Sequence, residues 1–263
     1  IFNRGDHSVI GTYQDRKLTS KYAWNLIDIC PVGALTSRDF RFKCRVWYLK
    51  EGKSICPGCS NGCNIFVHFR EKNVYRLKPR FNPDVNGRWM CDEGRVTYKQ
   101  VNAKSRIMSP LVRENGEWHE IGWEDAVGRV SFKLKEIIKN HGPGSVGAIG
   151  SAQATNEANF LFRKLTREVI GSRHIDFRIE PKVKGYEDNF LIKQDKNPNT
   201  KGAIDMGVVP ADGGLDVHDM VHAAEQGKLK ALYIMGGDLF QSNINEDLLG
   251  AALKKLDFII AQF

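Results

Sequence analysis

Cysteine is missing from the last 172 residues of this 263-residue chain, and no apolar run exceeds the five residues Ala231 to Met235. A membrane-spanning helix needs roughly 18 or more consecutive apolar residues, so direct membrane insertion is not expected. The first residues, Ile1 to His7, have neither an initiator Met nor a basic stretch followed by an apolar one. No export signal is read there, and the chain is expected to start mid-protein. Internal repeats and low-complexity tracts are lacking as well. Gly236-Gly237-Asp238 follows a strand pattern but is not the Gly-x-Gly-x-x-Gly of a dinucleotide site, and reads as a tight turn. His218 and His222 stand at i and i+4 without the neighbouring Glu that a zinc protease helix uses as its base.

Acidic residues are scarce in one place only. The formal charge is +8, which on its own suggests nucleic acid or an anionic surface. Residues 41 to 80, with ten basic side chains against Glu51 and Glu71, carry all of it. All six cysteines, Cys30, Cys44, Cys56, Cys59, Cys63 and Cys91, lie in or near that stretch. A disulfide framework fits poorly to a chain this long without a leader. The shared location points to an anionic group held by thiolates, with no role for nucleic acid.

Cys56-x2-Cys59-x3-Cys63 is followed, after 27 intervening residues, by Cys91. Three thiolates thus come from one compact loop and a fourth from a distant segment. A [4Fe-4S] cube takes one thiolate at each of its four iron corners, which suits this set. A structural zinc site usually draws its cysteines as two close pairs, and here the far side offers one only. Zinc in a structural module stays as the alternative. Cys30-Pro31 ends as a bacterial ferredoxin motif ends, but without the three preceding cysteines; it is either the fourth ligand of a second cluster or a buried thiol. Cys44, alternating with Phe42, Val46 and Trp47, reads as a structural thiol packed among apolar neighbours.

Along the chain, residues 1 to 51 mix turn signals with a short helix ending at Cys30, and look too small for a complete core. Ile65, Val67 and Phe69 alternate, turn at Glu71-Lys72-Asn73 and resume at Val74, which predicts a hairpin. Beyond residue 108 helices and strands alternate. Val127, Val130, Leu134, Ile137 and Ile138 share a helical face; Val146 to Ser151 is a strand; Ala158, Leu161, Phe162, Leu165 and Val169 give a helix capped by Thr155 or Asn156 and stopped at Gly171. Residues 178 to 215 read as a long insertion or loop. A helix at Val217 to Ala224, the strand Ala231 to Met235, a helix at Leu248 to Leu256 and a strand from Phe258 follow. The alternation predicts a parallel α/β sheet, cut at its end.

Asp28-Ile29-Cys30-Pro31-Val32-Gly33-Ala34-Leu35-Thr36, Phe40 to Lys43, Cys56 to Ile65 and Cys91-Asp92-Glu93-Gly94-Arg95 resemble the large iron-sulfur subunit of NADH-quinone oxidoreductase, respiratory complex I. Gly150 to Glu157 and Ala231 to Gly236 are similar to the α/β part that this family shares with molybdopterin oxidoreductases. The resemblance implies three parts: 1 to 51, the C-terminal remnant of a ferredoxin-like domain; 52 to 108, a [4Fe-4S] domain; and 109 to 263, the first part of a molybdopterin-oxidoreductase-like α/β domain. It implies a [4Fe-4S] cluster on Cys56, Cys59, Cys63 and Cys91, with Cys30 as the fourth ligand of a second cluster whose partners lie upstream. The implied role is electron transfer in an NADH:quinone oxidoreductase, with the other subunits of that complex as partners. The implied location is cytoplasmic, peripheral on the inner face of the plasma membrane. A catalytic molybdopterin or tungstopterin oxidoreductase, such as a formate dehydrogenase, is the competing reading. Against it, Glu93 stands where catalytic relatives usually have Lys, and a carboxylate there repels both an anionic cluster and a phosphate-bearing pterin. No molybdopterin is therefore expected.

Overall fold

The computed structural model describes residues 1–263, apart from the side chain of Asp15. The chain divides into two compact units: Ile1–Lys104 with Glu187–Lys193, and Ser105–Tyr186 with Gln194–Phe263.

In the first unit a five-residue helix, α1 (Asn25–Ile29), ends at Cys30. Three antiparallel strands follow in the order β1 (Lys50–Ile55), β2 (Asn64–Arg70) and β3 (Asn73–Pro79). The expected hairpin is β2 and β3, turning at Glu71, which has φ 55°. The edge strand β1 carries no strand signal in its own sequence. Its sequence Lys-Glu-Gly-Lys-Ser-Ile is mostly exposed and carries no apolar alternation, so only pairing with β2 marks it as a strand. Two one-turn helices, α2 (Asp92–Arg95) and α3 (Tyr98–Val101), complete the unit.

The second unit opens with a hairpin, β4 (Leu111–Glu114) and β5 (Glu117–Glu120), then the long helix α4 (Trp123–His141). Next come β6 (Val146–Ile149), α5 (Asn156–Lys164), β7 (Ile175–Asp176), α6 (Thr200–Asp205), α7 (Val217–Glu225), β8 (Ala231–Met235), α8 (Glu246–Lys255) and β9 (Phe258–Gln262). The sheet is parallel throughout, in the order β7-β6-β8-β9. Helices cover both faces, which is why all of β6 is buried instead of alternating. On one face Ile149, Leu232 and Ile234 meet Met220, Val221 and Leu249 of α7 and α8. On the other, Ala148, Ile175 and Met235 meet Phe162 and Ala203, while Val146 and Ala231 meet Leu134 and Ile137 of α4. Gly147 allows α7 to approach closely: a Cβ there would lie 2.9 Å from Met220 Sδ.

Two expectations need correction. Residues 178 to 215 are not simply a loop, since they contain α6 and bury Leu191, Ile192, Ala203 and Val208. In α5, Leu161 and Val169 are exposed, while Asn159, Phe162, Thr166 and Ile170 are buried. The helix continues beyond Lys164 in wider π-helical turns over Leu165–Ile170, which shifts its inner face. Asn159 goes inward because its amide donates to the Ser151 carbonyl at 3.0 Å.

Candidate iron-sulfur site

Cys56, Cys59, Cys63 and Cys91 are all buried, with at most 8% of any of them exposed. The Cys56 N–H donates to the Cys63 carbonyl at 2.8 Å and closes the loop between β1 and β2. Cys91 caps α2, accepting the Gly94 N–H at 3.3 Å on its sulfur, and the Asn61 amide donates to Cys63 Sγ at 3.0 Å. Such N–H donors stabilise negative charge on sulfur. The apolar wall of the site is Ile65, Leu77, Met90 and Leu191, the last arriving from the Glu187–Lys193 stretch. Tyr22 holds that stretch: its hydroxyl donates to Asp188 at 2.7 Å and accepts the Leu191 N–H at 3.2 Å.

Burial pushes the Cys56 thiol up to about 12, and the other three thiols add to the shift; burial also raises Cys63. Four buried thiols in mutual electrostatic contact lose their protons together only when a cation compensates. Among the described residues there is no disulfide, and no group of three or more His, Cys, Asp or Glu side chains is arranged to hold a metal ion. Gly94 sits within the cradle, where a Cβ would come within 2.9 Å of Cys56 Sγ and 3.4 Å of Cys91 Sγ. The donor set, its N–H groups and its apolar wall fit a multi-iron cluster.

Cys30 is set apart, half-buried at the end of α1. Backbone N–H groups of Leu35, Val32 and Ala34 hold its thiol below the usual range, a setting that favours a thiolate ligand. Cys44 departs from expectation: it is half-buried instead of packed in the core, its Sγ donating to the Arg45 carbonyl at 3.4 Å, with the Arg70 guanidinium bonded to it. Part of the basic stretch lies against aromatic rings, with Arg76 over Phe40 at 4.3 Å, Arg70 over Tyr48 at 5.1 Å and Arg45 over Trp47 at 5.8 Å. Glu93 pairs with Lys21 at 2.9 Å, so its charge is offset locally. The His218 and His222 rings lie 4.8 Å apart and are tilted by 53°. Gly142-Pro143-Gly144-Ser145-Val146-Gly147 has the spacing of a dinucleotide fingerprint, but it leads into β6 instead of leaving a strand to open a helix.

Sequence reasoning missed the polar group that buried Asn25 and Arg95 form with the partly exposed Asp28. Asp28 and Arg95 lie 67 positions apart, and no local pattern could pair them.

Three family profiles match: the ferredoxin-like domain of NADH-quinone oxidoreductase subunit 3 over residues 1–36, the NADH-ubiquinone oxidoreductase NDSU1/NuoG-like 4Fe-4S domain over 54–99, and molybdopterin oxidoreductase over 106–181. The NADH-quinone oxidoreductase G subunit of Rickettsia conorii is 32% identical over 189 residues, 72% of this chain and 28% of that protein.

The chain belongs to the NuoG-like family of NADH-quinone oxidoreductase subunits.

The NADH-ubiquinone oxidoreductase 75 kDa subunit of Reclinomonas americana is 34% identical over 170 residues, 65% of this chain and 24% of its own length. The NADPH-Fe(3+) oxidoreductase subunit alpha of Geobacter sulfurreducens is 34% identical over 176 residues, 67% of this chain and 20% of that protein. The chain thus spans between 20% and 28% of the length of these relatives. Among solved structures, acetylene hydratase from Pelobacter acetylenicus aligns with a TM-score of 0.41 and 16% identity, over 81% of this chain and 27% of that one. That likeness is too slight to build on. The two N-terminal matches make an iron-sulfur cluster the cofactor type of this part of the chain.

Proposed function

We propose that this chain is the iron-sulfur electron-transfer segment of a multi-subunit NADH:quinone oxidoreductase, with one [4Fe-4S] cluster on Cys56, Cys59, Cys63 and Cys91. The observation that carries this reading is the set of four buried thiols, gathered from two segments and bonded by N–H donors, inside the stretch that matches a 4Fe-4S domain. A bound cluster supplies one-electron chemistry. The chain's own part is to give up four thiol protons on loading, to donate from Gly94 and Asn61 toward sulfur, and to exclude water with Ile65, Leu77, Met90 and Leu191. Cys30 is the fourth ligand of a second [4Fe-4S] cluster, its other ligands lying outside these 263 residues. The domains run 1–51, 52–108 and 109–263, the first boundary falling within β1. Partner subunits of the respiratory complex hold the protein at the cytoplasmic face of the membrane. No helix among the described residues is long and apolar enough to cross it. Nucleic acid plays no part.

A second reading draws on the molybdopterin oxidoreductase match over 106–181 and on the Lys21 partner of Glu93. With its charge offset by Lys21, Glu93 no longer argues against a pterin. The test uses the full-length protein in its complex. The electron-transfer reading expects a [4Fe-4S] EPR signal on chemical reduction that disappears in Cys59→Ser, without stoichiometric pterin. Stoichiometric pterin with molybdenum or tungsten, together with formate-dependent dye reduction, would establish the catalytic reading instead.

A further inference from the structure

Arg95 follows Cys91 by four residues, and its guanidinium is 4% exposed. Its Nη2 donates to Asn25 Oδ1 at 2.7 Å and lies 2.6 Å from Asp28 Oδ2, while its backbone N–H donates to the Cys91 carbonyl at 3.3 Å. Asn25, also buried, donates to the Met90 carbonyl at 2.8 Å and accepts the Met90 N–H at 3.2 Å. The clasp extends outward: the Asp92 N–H donates to the Lys21 carbonyl at 2.7 Å, and the Trp24 N–H to Asp92 Oδ1 at 3.0 Å. Residues 21 to 28, just ahead of Cys30, are thereby fastened to residues 90 to 95 around Cys91. Lys78 Nζ lies 3.1 Å from the other oxygen of Asp28, so one carboxylate sits between two cations.

Burying an ion pair costs desolvation that its attraction scarcely repays, so stability alone is a weak reason for this group. Arg95 Nε, moreover, is buried with no acceptor among the described residues. What the arrangement does provide is a fixed charge close to a ligand corner. A cube with four thiolates carries net negative charge, and reduction adds one more electron, so a buried charge such as that of Arg95 acts on its potential with little screening, and the partly exposed Asp28 and Lys78 with more.

We propose that Arg95 is a positioning residue for the Cys91 corner, held by Asn25 and Asp28, and that Asp28, Arg95 and Lys78 together set the reduction potential of the group bound there. This rests on the iron-sulfur reading above. It makes Asp28 and Arg95 act in opposite senses. Arg95→Gln removes a cation and leaves Asp28 partly uncompensated, which disfavours the reduced cluster. Asp28→Asn leaves two cations and favours it.

The experiment is an EPR-monitored redox titration of the anaerobically reconstituted chain and its variants, with iron and sulfide assayed on each sample. The expected result is a lower midpoint in Arg95→Gln, a higher one in Asp28→Asn, and a midpoint near the parent's in the double variant. Lys78→Gln, at a more accessible position, gives a smaller downward shift and serves where Arg95→Gln does not fold. Shifts of one sign in all variants, or unchanged midpoints with unchanged iron, would overturn the proposal. A parent chain that binds no iron and sulfide would overturn the iron-sulfur reading itself, together with this inference.

Discussion

The two units of the chain are held together by different physics. The α/β unit has three apolar clusters against a sheet covered on both faces, with Leu232, Met220 and Leu249 almost wholly buried. The cysteine unit has one small cluster, and two of its six buried members, Cys56 and Cys63, are thiols. Its remaining order comes from hydrogen bonds among polar side chains such as Asn25, Asn64, Asn86 and Arg95. A domain with little apolar burial depends on staples, and the proposed cluster on the four cysteines would be one. Removing a ligand and removing a methyl group should therefore damage different units.

The largest effect is expected from Cys91→Ala. It should abolish iron binding and lower the thermal transition of the cysteine unit, leaving that of the α/β unit in place; calorimetry on anaerobic samples with an iron assay checks this. If the α/β transition falls equally, the two units are not separately held. The converse variant, Leu232→Ala, should cost about 2–5 kcal/mol in denaturant unfolding of the α/β unit. Its iron content should match the parent's.

Alkaline pH sharpens the contrast further. In the metal-free chain the folded Cys56 thiol titrates at about 12, above its usual value of 9.0. The folded state therefore keeps a proton that the unfolded chain releases first, and the stability this provides is lost as pH climbs from about 9 toward 12. Denaturant midpoints across that range should fall in the metal-free parent and fall less in Cys56→Ala. An identical slope in both would contradict the assignment of the shift to burial of this thiol. The smallest effect belongs to Cys44→Ala. Half-buried and bonded to its neighbour's carbonyl and to Arg70, Cys44 should contribute within about 0.5 kcal/mol, with iron content unchanged.

Much of the α/β unit was legible in the sequence because its signals are local. Val217, Met220, Val221 and Ala224 repeat at helical spacing, and β8 is a short apolar run between turns. The cysteine spacing identified the candidate site for a similar reason, since three of its donors fall within eight residues. What stayed hidden depends on contacts distant in sequence. β1 has a polar sequence and exists by pairing with β2. Asn159 has the polarity of a surface residue, and only its bond to Ser151 accounts for its burial. Leu191 lies 100 positions beyond Cys91, and nothing in the spacing placed it in the wall of the thiol site. Arg95 and Asp28 carry no sequence signal for each other, yet their ion pair joins the segment that ends at Cys30 to the one around Cys91.

The central claim is that the four buried cysteines hold an iron-sulfur cube. Mössbauer spectroscopy of the chain, reconstituted anaerobically with iron-57 and sulfide and with zinc present in competition, tests it most directly. The account predicts about four iron and four sulfide per chain with the spectrum of a [4Fe-4S] cluster, lost in Cys91→Ala and retained in Cys44→Ala. One zinc per chain, with no sulfide and no cluster spectrum, would contradict it.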